Sequence, residues 1–197
     1  MKTVFFDIDT QYDFIMPTGK LHVPGAEKLV TNFEKLTELA VRKKIKIVSS
    51  ADAHTVNDPE FNVFPPHCVK NEFGWEKIPE TLLSDRYHVE NRKNALNGET
   101  GALQIILEKT EFSMFSNPNT MHLLKKLDPK RAIIYGVATD YCVKAAAIGL
   151  SDLGYETYVV EDAVAAVDPE TCKKAMDEMK KAGVKFIKTA EVESLLD

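Results

Sequence analysis

Short apolar runs that alternate with amphipathic stretches constrain this chain more than any other feature. Val4-Phe5-Phe6-Asp7-Ile8 reads as a first buried strand. Gly25 to Lys43 follows, with Ala26, Leu29, Val30, Phe33, Leu36, Leu39 and Ala40 at helical spacing. Ile45 to Ser50 reads as a second strand, and Ala132 to Val137 as a strong one that runs into a helix near Asp140–Leu153. Thr157-Tyr158-Val159-Val160 is another strand, a helix over 169–182 starts at Pro169 and stops before Gly183, and Val184 to Ile187 closes the series. Tyr87-His88-Val89-Glu90 and Ile105-Ile106-Leu107 are weaker strand signals. Continuous apolar strands between helices imply a parallel sheet buried on both faces. The expectation is one α/β domain over residues 1–197, Rossmann-like, with a sheet of about six strands and helices on both faces.

Composition narrows the function classes. With 25 Lys+Arg against 30 Asp+Glu the net charge is −5, which speaks against a nucleic-acid binder. No apolar run is long enough to span a bilayer. Asp7 comes too early for a secretory signal. Three cysteines, Cys68, Cys142 and Cys172, do not suggest a disulfide framework, so a reducing cytoplasm is the expected home.

In open α/β sheets, ligands sit beyond the carboxyl ends of the strands. Those ends carry Asp9, Asp52 to His54, Lys109, Ala138 to Cys142 and Glu161-Asp162. The irregular stretch 51–104 is too long to be passive connection, which makes it a place for function. Cys142 falls in the first turn of a helix, where the dipole favours a thiolate and free N–H groups can hold an oxyanion. Thr139 or Asp140 can cap that helix. A nucleophilic thiol needs a proton acceptor, for which Asp9 serves, and Lys109 can stabilise both anions. Taken singly, Cys142 also reads as a small core residue, Asp9 as a loop-bonding group and Lys109 as a solvated side chain. Cys172 shares a helical face with Ala175, Met176 and Met179 and reads as core.

Asp52-Ala53-His54, Glu60 and His67 place two histidines and two carboxylates within 16 residues. Such a mixed nitrogen and oxygen set suits zinc, and also iron or manganese. Asp58 competes with Glu60 for a place in it, and the bland alternative is a loop-capping Asp with two surface histidines. Cys68 follows His67 and could touch a metal, although neighbours seldom both ligate.

Four motifs now stand in order: Asp9-Thr10-Gln11-Tyr12-Asp13-Phe14; Ser50-Ala51-Asp52-Ala53-His54 with Phe64-Pro65-Pro66-His67-Cys68-Val69; Lys109 with Phe112 to Phe115; and Gly136-Val137-Ala138-Thr139-Asp140-Tyr141-Cys142-Val143. In these the chain resembles the cysteine hydrolases of the isochorismatase-like superfamily, most closely the nicotinamidases, over nearly its whole length. The resemblance implies a catalytic triad of Asp9, Lys109 and Cys142. It implies a cis peptide at Val137–Ala138 and an oxyanion hole from the N–H groups of Ala138 and Cys142. It implies metal ligands Asp52, His54 and His67, with Glu60 as candidate for the variable fourth. Phe14 and Phe64 would sandwich a substrate ring. Its function would be metal-dependent hydrolysis of nicotinamide or a related small carboxamide through a Cys thioester, in a homo-oligomer serving NAD salvage. Lys70-Asn71-Glu72-Phe73-Gly74 and the segment 84–104 depart from the nicotinamidase pattern, which bears on substrate more than on chemistry.

A rival reading uses Val4-Phe5-Phe6-Asp7-Ile8-Asp9-Thr10, which is similar to the first motif of haloacid-dehalogenase-type phosphatases. Asp7 would be the nucleophile, Asp9 the acid/base, Ser49 or Ser50 the strand-end hydroxyl, and Asp162 with Asp168 a magnesium motif. That reading leaves His67, Cys142 and their neighbours without a role. A non-catalytic binding module is the third possibility, and no loss of a triad member favours it.

Overall fold

The computed structural model describes residues 2–96 and 101–196. Along the chain run β1 (Thr3–Ile8), α1 (Tyr12–Ile15), α2 (Val30–Lys43), β2 (Ile47–Asp52), β3 (Arg86–Val89), β4 (Gln104–Lys109), α3 (Thr120–Leu127), β5 (Arg131–Val137), α4 (Lys144–Asp152), β6 (Glu156–Ala165), α5 (Pro169–Lys181) and β7 (Lys185–Ile187). The seven strands form one sheet in the order β3-β4-β2-β1-β5-β6-β7, so the expected six is one short. Every pairing is parallel. Order reverses between β1 and its neighbours, where the crevice of an α/β sheet opens.

Successive side chains of each strand enter opposite cores, which explains the unbroken apolar runs. Phe5, Ile47, Ile133 and Tyr135 pack with Phe33, Leu36, Leu39 and Ala40 of α2. Phe6, Ile8, Val48, Ile105 and Leu107 pack with Leu123, Leu124, Ala146, Ala147, Leu150 and Met179 of α3, α4 and α5. Each large apolar side chain so buried contributes about 1.5–3 kcal/mol. Helix α5 begins as its sequence indicates: Pro169 opens it, and Asp168 accepts hydrogen bonds from the N–H groups of Glu170 and Thr171. That role takes Asp168 out of any magnesium motif. Cys172 is half-buried on α5 rather than in the core, because the inward face is held by Ala175 and Met179.

β6 is longer than its sequence suggests. Ile134 of β5 faces Val159, but Gly136 faces Val164, so β6 bulges between them. Glu161 and Asp162 lie in that bulge, not beyond the strand end. Asp162 accepts from Thr189 N–H (2.8 Å) and Thr189 Oγ1 (2.9 Å), tying the bulge to the chain after β7. The bulge explains why this Asp pair does not join the other strand ends.

Candidate active site

Four neighbouring strands deliver the candidate groups to one edge. Asp9 follows β1, Asp52 ends β2, Lys109 ends β4, and Ala138 to Cys142 follow β5. The chain turns after β5 through a cis peptide at Val137–Ala138, as the resemblance implies, then a π-helical turn over Thr139–Val143. Neither Thr139 nor Asp140 caps that turn with its side chain. Asp140 reaches across instead, accepting from Val167 N–H (3.1 Å), Asp168 N–H (3.2 Å) and Thr171 Oγ1 (2.6 Å). It braces the cysteine turn against the start of α5.

Asp9, Lys109 and Cys142 meet. Lys109 Nζ lies 2.9 Å from Asp9 Oδ2 and 3.7 Å from Cys142 Sγ, and it also contacts Asp52 Oδ1. Asp9 Oδ1 accepts from Ser50 Oγ at 2.6 Å. All of these side chains are buried. One ammonium thus serves two carboxylates. Burial pushes the Asp9 carboxyl above its ordinary range, more than Lys109 pulls it down. Burial opposes ionisation of Asp52 too, but Lys109 and His54 together hold it below the ordinary value. Burial also raises the Cys142 thiol well above its usual value, with Lys109 opposing and Asp9 and Asp52 adding to the rise. Burial thus opposes the thiolate that the helix dipole favours, and the Cys142 sulfur lies beside a carboxyl group that can accept its proton.

The second cluster adjoins the first through Asp52. Asp52 Oδ2 is 3.8 Å from His54 Nε2 and 3.9 Å from His67 Nε2. Glu60 stands 4.0 Å from His54 Nε2 and 3.9 Å from His67 Nε2. Asp58 does not face this centre: its Oδ2 lies 3.1 Å from His54 Nδ1, behind the ring. Among the described residues neither ring nitrogen of His54 has a hydrogen-bond partner, and both are buried. Burial and the charge of Asp52 raise the Glu60 carboxyl. Two imidazole nitrogens and a carboxylate fit a divalent metal: Asp52, His54 and His67 are close enough to share one, and His54, Asp58 and Glu60 form a second group as close. Cys68 is buried, its thiol is pushed well up by burial, and its Sγ faces Gly74 O at 3.9 Å, outside the cluster.

Between the clusters opens a cavity. Asp9, Asp52, Glu60, His67, Ala138 and Cys142 form its polar end, and Phe14, Leu21, Val23, Phe64, Phe112, Val137, Tyr141 and Val167 line the rest. Phe14 lies 5.4 Å from the His67 ring, centroid to centroid. Phe64, Phe112 and Tyr141 make an aromatic group with ring separations of 5.1–6.5 Å. The sequence reading found Phe14 and Phe64 but not the wall positions of Tyr141 and Phe112, which lie inside two of the quoted motifs.

The polar residues of the first motif divide the labour. Gln11 donates to Asp52 O (2.8 Å) and Trp75 O (2.7 Å) and accepts from Asp52 N–H (2.8 Å). It fixes the backbone of a candidate ligand. Asp13 Oδ2 accepts from Cys68 N–H at 2.7 Å and so pins the loop that carries His67. Sequence reasoning missed both, because their partners are 41 and 55 residues away.

Asp7, the nucleophile of the phosphatase reading, does not reach the cavity. Its carboxylate is buried and occupied by Thr10 Oγ1 (2.8 Å), Ser49 Oγ (2.8 Å) and Lys77 Nζ (2.9 Å). Asp162 is bound to Thr189 and is no partner for it.

Residues 3–191 match the isochorismatase domain, and the chain belongs to that family. It is 28% identical to a nicotinamidase of Saccharomyces cerevisiae, an alignment covering 95% of this chain and 99% of that protein. Among solved structures it resembles the pyrazinamidase of Pyrococcus horikoshii in complex with zinc (TM-score 0.79, 28% identity, 95% and 99% of the two chains). It also resembles the N-carbamoylsarcosine amidase of Thermoplasma acidophilum (TM-score 0.77, 28% identity, 96% and 97%). Among the described residues no helix is long and apolar enough to cross a membrane.

Proposed function

We propose that this amidohydrolase cleaves nicotinamide to nicotinate and ammonia through a Cys142 thioester. The observation that carries the reading is the buried contact of Lys109 with Asp9 and Cys142 at the end of an aromatic-walled cavity. The similar nicotinamidase and pyrazinamidase support the choice of amide.

Asp9 takes the thiol proton, to which its raised affinity for protons suits it. Lys109 offsets the negative charge as Sγ attacks the amide carbon. The N–H groups of Ala138 and Cys142 receive the oxyanion. Asp9 then delivers the proton to the departing ammonia, and in the second half-reaction takes one from the water that opens the thioester. Phe14 and Phe64 bear on the faces of a flat ring. Asp52, His54, Glu60 and His67 would hold a divalent metal, with zinc first in the chemistry of the donors and iron or manganese next. When bound, that metal supplies Lewis acidity beside the cavity. A homo-oligomeric assembly, a cytoplasmic location and a place in NAD salvage belong to the same reading.

The test is ammonia release from nicotinamide by zinc-loaded protein, with Cys142→Ala alongside. Release that disappears in the variant supports both substrate and nucleophile. No release by the unaltered chain sinks the nicotinamide assignment. The likeness to the N-carbamoylsarcosine amidase and the departure at 70–74 favour another small carboxamide as second reading, which an amide panel distinguishes.

A further inference from the structure

Asp58 stands outside the group Asp52, His54 and His67, on the far side of the His54 ring, and touches both His54 and the backbone of Glu60. Its Oδ2 lies 3.1 Å from His54 Nδ1. Its Oδ1 accepts from the backbone N–H of Glu60 at 3.0 Å, capping the short 3₁₀ turn Pro59–Asn62 that carries Glu60. The two oxygens of one carboxylate thus face two proposed ligands from behind. Asp58 is itself mostly withdrawn from solvent, with 13% of its side chain exposed.

The two histidines are oriented by different chemistry. His67 Nδ1 lies 2.8 Å from the carbonyl oxygen of Pro65, a neutral acceptor. His54 Nδ1 has the Asp58 carboxylate. An anion beside Nδ1 favours the proton on that nitrogen, which leaves the Nε2 lone pair free and makes it more basic. Among the described residues neither buried ring nitrogen of His54 has a hydrogen-bond partner: Nδ1 makes an ion-pair contact of 3.1 Å with Asp58, and Nε2 faces Asp52 at 3.8 Å and Glu60 at 4.0 Å.

We propose that Asp58 is a positioning residue for the metal: it orients and polarises His54 through one oxygen and sets Glu60 through the other, without binding the ion itself. This rests on the metal reading of Asp52, His54, Glu60 and His67. It predicts that His54 is the stronger of the two imidazole donors, because only its ring is backed by an anion.

The variants that separate orientation from folding are Asp58→Asn and Asp58→Ser. Both residues cap helical turns as well as Asp does, so the Pro59–Asn62 turn survives in each. Serine is too short to reach His54. Asparagine has one oxygen, which cannot serve His54 and Glu60 together. Zinc affinity is measured on the whole chain by competition with a chromophoric chelator. Thermal unfolding of the metal-free proteins runs in parallel, and the visible spectrum of the cobalt-loaded proteins reports ligand geometry. The expected result is a zinc affinity lowered about 10–100-fold in both variants. The metal-free unfolding temperature stays unchanged, and the cobalt bands shift. Wild-type affinity and an unchanged cobalt spectrum in both variants overturn the role of Asp58 while leaving the metal reading intact. Failure of the unaltered chain to bind zinc or cobalt overturns both. An affinity loss matched by a loss of metal-free stability overturns the positioning role in favour of a merely structural one.

Discussion

Lys109 Nζ stands 2.9 Å from Asp9 Oδ2, with both side chains withdrawn from water. The same ammonium contacts Asp52, so a single cation holds together the carboxylate beside the thiol and the carboxylate of the metal cluster. Replacing it by a neutral side chain strands two buried anions. Lys109→Met is expected to lower stability by about 3–5 kcal/mol and to abolish turnover. Urea unfolding of the metal-free variant measures the first and ammonia release the second. A variant within about 1 kcal/mol of wild type would show that the pair is not the buried cation–anion contact described.

The pH profile follows from Asp9. Burial raises its carboxyl above the ordinary value of 3.8. The base form does the work, so kcat/KM falls as pH drops through the raised value. The acid limb is therefore expected above the normal carboxylate range, as an apparent value shared with Lys109 and Cys142. A limb at or below 3.8 contradicts the burial effect on Asp9.

Metal removal separates the two clusters. Chelation is expected to abolish turnover while the chain stays folded. Restoring zinc at about a hundred times its dissociation constant adds about 2.7 kcal/mol of stability. Calorimetry and ammonia release on the same samples check both halves. Full activity in protein shown to be metal-free would refute the metal's role.

Gly136 tests how closely β5 approaches β1. Its φ is +119°, and a Cβ there would meet Ile8 O at 2.0 Å, immediately before Asp9. Gly136→Ala is expected to cost at least about 2 kcal/mol and to cut turnover sharply. Gly154→Ala is the control: φ is +83° but nothing lies within 4 Å, so only the backbone penalty of about 1 kcal/mol applies. Equal unfolding temperatures for the two variants would contradict this packing.

Glu156 gives a pH dependence away from the site. Hydrogen bonds from Lys185, Tyr158 and Arg131 hold its carboxyl down at about 2. A depressed carboxyl stabilises the fold above its ordinary value of 4.5 and loses that contribution as pH falls toward 2. Glu156→Gln should cost about 1 kcal/mol at neutral pH, reduced by solvent around Lys185, and progressively less as pH falls from 4.5 toward 2. Denaturant titrations across that range decide it.

What the sequence made legible follows its physics. β1, β2 and β5 are buried on both faces, so their runs are unbroken and easily read. Helix α3 went unread because its 8 residues give barely two turns of periodicity. Asp162 was misplaced because a bulge leaves no periodic mark. The groups that do chemistry were visible from their places after strands. Those that aim them, Gln11, Asp13 and Asp58, were not visible in those roles. Their partners are backbone groups or ring nitrogens that only folding brings near.

The arrangement of β4, β2, β1 and β5 side by side has a consequence for how this scaffold can change. Lys109, Asp52, Asp9 and the Cys142 turn are mounted on adjacent rails whose spacing is a backbone constant, whereas Phe64 and Phe112 ride on loops that leave β2 and β4. Reagents and upholstery are thus separately replaceable. A new guest molecule can be accommodated by refitting the walls while the working parts keep their gauge.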